Sequence, residues 1–179
     1  MTLANLITLL RVFLVPLIVL AMLSDEMMVA FLVFMLAGLS DAVDGTVARY
    51  FDQQSEFGTI LDPIADKLML VSVFIVLTQL GHIPLWLTIL IVSRDVLIIS
   101  GVLLAFFMER DVTIRPLWVS KANTLSQIVL AGLTLGLLAF ALEWPQTQMV
   151  LELVTGILTT ASAAAYVGQG LKVFSSPQS

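Results

Sequence analysis

The chain has 179 residues, of which 59% are hydrophobic and only 12% charged, and its mean hydropathy is +1.05. A soluble domain carries roughly twice that charged fraction, so the composition excludes an ordinary water-soluble enzyme and points to an all-α integral membrane protein. A net charge of −5 without any lysine- or arginine-rich run argues against nucleic acid as a partner, and the absence of cysteine removes disulfides, thiol nucleophiles and cysteine metal sites.

Apolar stretches predict six transmembrane helices, over 4–23, 27–50, 59–80, 84–108, 121–142 and 149–172. The first contains Pro16, expected to kink it, and has neither a basic leader nor a small-residue cleavage site, so no signal peptide is expected. Short polar or turn-forming segments separate the spans, and no linker or repeat divides the chain, so residues 1–179 read as one membrane domain. Seven of the eight basic residues (Arg11, Arg49, Lys67, Arg110, Arg115, Lys121 and Lys172) fall on the side that holds both termini in a six-span arrangement. The opposite loops, 24–26, 81–84 and 143–148, hold no lysine or arginine, which makes the termini cytoplasmic by the positive-inside rule.

Four aspartates lie where spans two and three meet the polar link between them. Asp41 and Asp44 are three residues apart at the cytoplasmic end of span two, and Asp62 and Asp66 are four apart at the start of span three. Each pair shares a helix face. A carboxylate within a span costs about 2.5–3.5 kcal/mol on insertion scales, so four of them with few neighbouring cations call for a positive partner. Oxygen-only ligands suit a hard divalent ion, and four converging carboxylates fit two ions clamping a phosphoryl displacement. The bland alternative is a buried ion-pair network. Nearby, Gly45 and Ala48 leave room for a bulky ligand or simply pack helices. Arg49 offers a fork for phosphate or an interfacial anchor, and Gly58 a bare N–H near a helix start or an ordinary loop glycine.

The pattern Asp41-x2-Asp44-Gly45-x2-Ala48-Arg49-x8-Gly58-x3-Asp62-x3-Asp66 resembles, at every position and spacing, the signature of the CDP-alcohol phosphotransferase family. The resemblance covers the whole chain. It implies transfer of a phosphatidyl group from CDP-diacylglycerol to an acceptor hydroxyl, with release of CMP, at the cytoplasmic face of a bacterial inner membrane. It further implies that Asp41, Asp44, Asp62 and Asp66 hold two divalent cations, Mg2+ or Mn2+. Asp66 would also serve as general base, or act purely as a ligand. Gly45, Ala48, Arg49 and Gly58 would line the CDP pocket, and a homodimer is expected. Asn5, Thr8 and Arg11 resemble the start of the family's phosphatidylglycerophosphate synthase and cardiolipin synthase branches, and their helical spacing lets them face the donor, although a cap and an interfacial arginine would look the same.

Polar residues beyond this motif bear on the acceptor. Arg94 in span four is either neutralised by Asp95 or, with Lys121 and Arg115, holds an acceptor phosphate. Arg94-Asp95 and Lys121-x-Asn123 resemble cardiolipin synthases of this type more than phosphatidylglycerophosphate synthases, which points to phosphatidylglycerol as acceptor, with glycerol 3-phosphate as the alternative. A cation channel or transporter is the rival from another class; it is disfavoured because spans three and six are read as lacking polar residues beyond their cytosolic ends and no inverted repeat is visible. A scaffold with a degenerate site is disfavoured because every motif position is filled. His82 reads as a loop residue, and Trp86, Trp118 and Trp144 as an aromatic belt.

Overall fold

A computed structural model describes the backbone of residues 3–51, 56–107 and 118–175, and the side chains of 13–40, 66–101, 104 and 118–170. The described residues form six helices and no strand: α1 (Leu3–Leu23), α2 (Met27–Phe51), α3 (Glu56–Gln79), α4 (Leu85–Phe107), α5 (Trp118–Ala139) and α6 (Pro145–Ser175). These boundaries lie within a few residues of those expected. The largest differences are at α5, which both starts and stops three residues early, and at α6, which begins at Pro145, where a missing N–H costs the first turn nothing. The helix α1 continues through Pro16.

Three helix ends are closed in the same way. After α1, the N–H of Glu26 donates to the Ala21 carbonyl (2.9 Å) and that of Asp25 to Met22 (3.2 Å), with Asp25 at φ 63°. After α3, His82 donates to Leu77 (2.9 Å) and Gly81 to Thr78 (3.1 Å), with Gly81 at φ 82°. After α5, Leu142 donates to Leu137 (2.8 Å) and Ala141 to Leu138 (3.2 Å), with Ala141 at φ 51°. Each is a Schellman motif, which satisfies carbonyls that an open helix end would leave bare. Glycine adopts the left-handed conformation without strain, whereas Asp25 and Ala141 hold it at a cost of roughly 1–2 kcal/mol.

Packing divides the chain into two compact units. The first comprises Met1–His82 and Ala131–Pro145, and within it α1 packs on both α2 and α3. Buried positions recur at helical spacing: Ile18, Ala21 and Met22 on α1; Ala30, Phe34 and Ala37 on α2; Met69, Leu70, Val73, Phe74 and Leu77 on α3; Ala131 and Leu135 on α5. Phe31 and Phe140 meet edge to face, with centroids 5.9 Å apart. The second unit comprises Ile83–Leu130 and Gln146–Ser179. Its buried apolar residues include Leu87, Ile91 and Leu130, and its interior is unusually polar, with Thr88, Arg94, Asp95, Asn123, Gln127, Thr155, Thr159 and Ser162 all buried.

Large apolar side chains face outward on every helix, among them Phe13, Leu36, Ile75, Leu85, Leu125 and Ile157. So many exposed large apolar side chains among the described residues are unusual for a soluble monomer and point to a membrane protein. Among the described residues, Trp118–Ala139 and Pro145–Gly170 are long and apolar enough to cross a bilayer, and Phe13–Leu23 and Met27–Ser40 are shorter apolar segments.

Relieving the strain at the α5 end should stabilise the fold. Ala141→Gly is expected to raise the midpoint of thermal unfolding in detergent by about 2–4 °C, the shift of roughly 1 kcal/mol in a chain of this length. Gly81→Ala should lower it by a similar amount, and unchanged midpoints in both variants would remove the strain argument.

Candidate functional site

The four motif aspartates all belong to the first unit, Asp41 and Asp44 on the second half of α2, and Asp62 and Asp66 on the first half of α3. Helix α2 is continuous through the first pair and α3 through the second, so the three- and four-residue spacings fall on regular helix. Only four residues, 52–55, separate the two helices, which makes them chain neighbours at the acidic ends. Asp66 is half-buried and already engaged with a neighbour, as is Lys67 beside it. The side chains of Asp41, Asp44 and Asp62 lie outside the described residues, as do those of Asn5, Thr8, Arg11, Ala48 and Arg49. Gly45 and Gly58 lie on helical backbone, Gly58 being the third residue of α3 rather than a loop residue, and Arg115 lies wholly outside the described residues.

Among the described residues no group of three or more acidic, histidine or cysteine side chains is gathered around a metal-sized site. The donor set nevertheless suits a hard divalent cation: the motif supplies carboxylate oxygens only, from two helices of one unit that both pack on α1.

The second unit holds the best-defined polar cluster, centred on Arg94 of α4. Its side chain is 3% exposed. Nη1 donates to Asp95 Oδ1 at 2.6 Å, Nη2 donates to Ser120 Oγ at 2.5 Å on α5, and Nη2 and Nε donate to Ser162 Oγ at 2.9 and 3.2 Å on α6. The Tyr166 ring lies 5.7 Å from the guanidinium carbon, a cation–π distance. A buried guanidinium needs this company, because leaving the charge without partners in an apolar interior costs several kcal/mol. The planar fork can serve three helices at once where a lysine could not.

One and two turns further along α5 and α6 the polar contacts continue. The Thr159 hydroxyl lies 2.7 Å from both Asn123 Oδ1 across the interface and the Thr155 carbonyl on its own helix. Ser126 donates to the Asn123 carbonyl (2.8 Å) and Thr160 to Gly156 (2.9 Å), so hydroxyls fold back on their own helices rather than meeting apolar surroundings bare. The opposite flank of α6 is apolar: Trp86, Leu90, Leu153, Gly156, Ile157 and Thr160 line an open groove of about 540 Å³. There the Trp86 ring sits so close that a Cβ on Gly156 would meet its Cζ3 and Cη2 at 2.9 Å, which explains the glycine.

These contacts bear on several sequence expectations. Arg94 and Asp95 do form the neutralising pair that was one of two readings. Lys121, by contrast, is exposed and lies with its Nζ 5.4 Å from the Trp118 ring centroid. Span six does not lack interior polar residues. Thr155, Thr159 and Ser162 are fully buried at helical spacing, and that argument against a transporter fails. Sequence reading missed them because threonine and serine are common in membrane helices and easily satisfy themselves there; the signal was their recurrence, with Tyr166, at steps of four, three and four residues. Trp86 is more than a belt residue, since it packs on Gly156.

The profile of a protein family described as CDP-alcohol phosphatidyltransferase matches residues 1–161. The chain is 35% identical over 187 residues to a cardiolipin synthase (CMP-forming) of Rattus norvegicus, covering 96% of this chain and 62% of the rat protein. It is 33% identical over 178 residues to a probable phosphatidylglycerophosphate synthase of Mycobacterium tuberculosis, covering 95% of this chain and 82% of that protein. A CDP-diacylglycerol--glycerol-3-phosphate 3-phosphatidyltransferase of Blochmanniella floridana is 32% identical over 142 residues, covering 78% and 73%. The chain thus spans less than two thirds of the rat relative.

The Arg94 cluster yields a stability prediction. Asp95→Ala strands a buried guanidinium and should destabilise the protein by about 3 kcal/mol. Ser162→Ala removes a neutral acceptor shared by two nitrogens and should cost less, about 1.5 kcal/mol. Thermal or denaturant unfolding in detergent checks the order, and equal small losses would show that the pair is not needed to hold the arginine.

Proposed function

We propose, on the premise that the chain belongs to the CDP-alcohol phosphatidyltransferase family, that it transfers a phosphatidyl group from CDP-diacylglycerol to an acceptor hydroxyl and releases CMP. The observation that carries this reading is the complete eight-residue aspartate motif lying on regular helix in α2 and α3 of one unit. In the reaction an acceptor oxygen attacks the phosphorus that bears the diacylglycerol, the bond from that phosphorus to the bridging oxygen breaks, and CMP departs with the electron pair. Asp66 accepts the acceptor's proton, and its engagement with a neighbour is consistent with an oriented carboxylate. Arg49, Gly45, Ala48 and Gly58 bind the CDP moiety, with Asn5 and Thr8 beside it. Two divalent cations, Mg2+ or Mn2+, held by Asp41, Asp44, Asp62 and Asp66, supply neutralisation of the pyrophosphate and polarisation of the phosphorus.

The protein crosses the bilayer six times, with both termini and the aspartates on the cytoplasmic side of a bacterial inner membrane. Helices of 21 to 31 residues support this, since about 20 suffice to cross the hydrocarbon. A homodimer is expected from the family resemblance.

Phosphatidylglycerol is the acceptor we favour, bound through Arg94, Lys121 and Arg115. The pairing of Arg94 with Asp95 at 2.6 Å leaves such a pocket only modestly cationic, which bears on the choice between the two acceptors. A guanidinium whose charge is already balanced suits one phosphodiester charge at membrane depth and serves a soluble dianion poorly. Glycerol 3-phosphate is the second reading, and the relatives' names include both activities.

Incubating the purified protein with CDP-diacylglycerol and each acceptor in turn, while following CMP release and the lipid product, tests the proposal. Cardiolipin from phosphatidylglycerol is expected; phosphatidylglycerophosphate alone would replace the acceptor, and no CMP with any acceptor would remove the activity. Turnover should be lost in chelator and regained with Mg2+ or Mn2+. Asp41→Asn, Asp44→Asn and Asp62→Asn should abolish it, and Asp66→Asn should slow it by about 10²–10⁴-fold. Full activity in chelator would eliminate the metal role.

A further inference from the structure

The α5–α6 seam of the second unit is built in antiparallel rungs. Ser120 and Ser162 form the first, both bonded to Arg94. Three residues forward on α5 and three back on α6, Asn123 and Thr159 form the second. Four further in each direction, the same register brings Gln127 opposite Thr155. Here the bonding stops: Gln127 Nε2, Thr155 Oγ1 and Asn123 Nδ2 are buried and make no hydrogen bond. All three residues are at least 97% buried.

Three unsatisfied polar atoms on the residues of one seam are rare in a packed interior, where nearly every buried donor finds an acceptor. Turning the Asn123 carboxamide over does not remove the difficulty, since only one of its polar atoms can meet Thr159 while the other still needs a partner. The group therefore offers amide donors and a hydroxyl that both donates and accepts. Chemistry of that kind is matched by a small molecule that also does both, and a cation or a fixed anion would satisfy only part of it.

We infer that Asn123, Gln127 and Thr155 form a binding site for an ordered water molecule that closes the third rung of the seam. An internal water makes about three hydrogen bonds to otherwise unsatisfied groups, the number of orphan atoms present. It links α5 to α6 beyond Arg94 and keeps the polar seam continuous from Ser120 inward. The same hydroxyl chemistry is carried by the glycerol of a lipid headgroup, and the experiment separates the two.

Water-edited solid-state NMR on the full chain in lipid bilayers reads the site directly. Magnetisation from water should reach the side-chain amide of Gln127 about as fast as that of the exposed Gln146. Build-up no faster than at the buried backbone amide of Ile91 would overturn the proposal. Signal that vanishes on saturation with phosphatidylglycerol would also overturn it, assigning the site to a headgroup hydroxyl. Near-isosteric variants give a second, sign-based test. If water bridges the rung, Gln127→Met and Thr155→Val each lower the unfolding midpoint by about 2–4 °C, and the double variant loses less than the two added together. If the groups merely sit unpaired, each single variant raises the midpoint, because an apolar side chain relieves the buried polar atom, and the proposal fails.

Discussion

Everything in the second unit hangs on one constraint: a guanidinium buried among apolar helices must keep its charge balanced and its N–H groups bonded. Arg94 meets it by drawing on three helices, with Asp95 from its own, Ser120 from α5 and Ser162 from α6. The consequence is geometric. With both serines tied to one rigid fork, the register of α5 against α6 is fixed, and the Asn123–Thr159 contact three residues along follows from it. In lipid there is little hydrophobic drive for helix to pack on helix, so polar ties of this sort carry a larger share of the specificity than they would in water.

The same constraint explains the hairpin ends. Three successive Schellman motifs close α1, α3 and α5, although two of them require a non-glycine residue at positive φ. A bare carbonyl near hydrocarbon costs more than the strain of the left-handed turn. The turns are therefore tight, and they carry no lysine or arginine.

The two units divide the polar groups by kind. In the first, the described interior is almost wholly aliphatic and aromatic, with Phe74, Leu77, Ile18 and Met22 at its centre and Thr134 a buried polar exception, and the acidic motif lies on the second half of α2 and the first half of α3. In the second, polarity runs through the interior itself.

The sequence by itself determined the number of helices, their limits to within a few residues and the aspartate motif. These are local properties: hydrophobic runs between polar breaks set the helices, and fixed three- and four-residue spacings set which carboxylates share a face. It also marked Arg94 as exceptional, since a lone arginine in an apolar run is visible without any fold. Only the tertiary structure showed which groups surround it. Its partners Ser120 and Ser162 lie 26 and 68 residues away, and Asn123 meets Thr159 across 36. No local periodicity encodes which serine or threonine of one helix faces which residue of another, because a hydroxyl in an apolar helix can equally satisfy itself on its own backbone. That choice is made when the helices pack and a buried charge selects its neighbours.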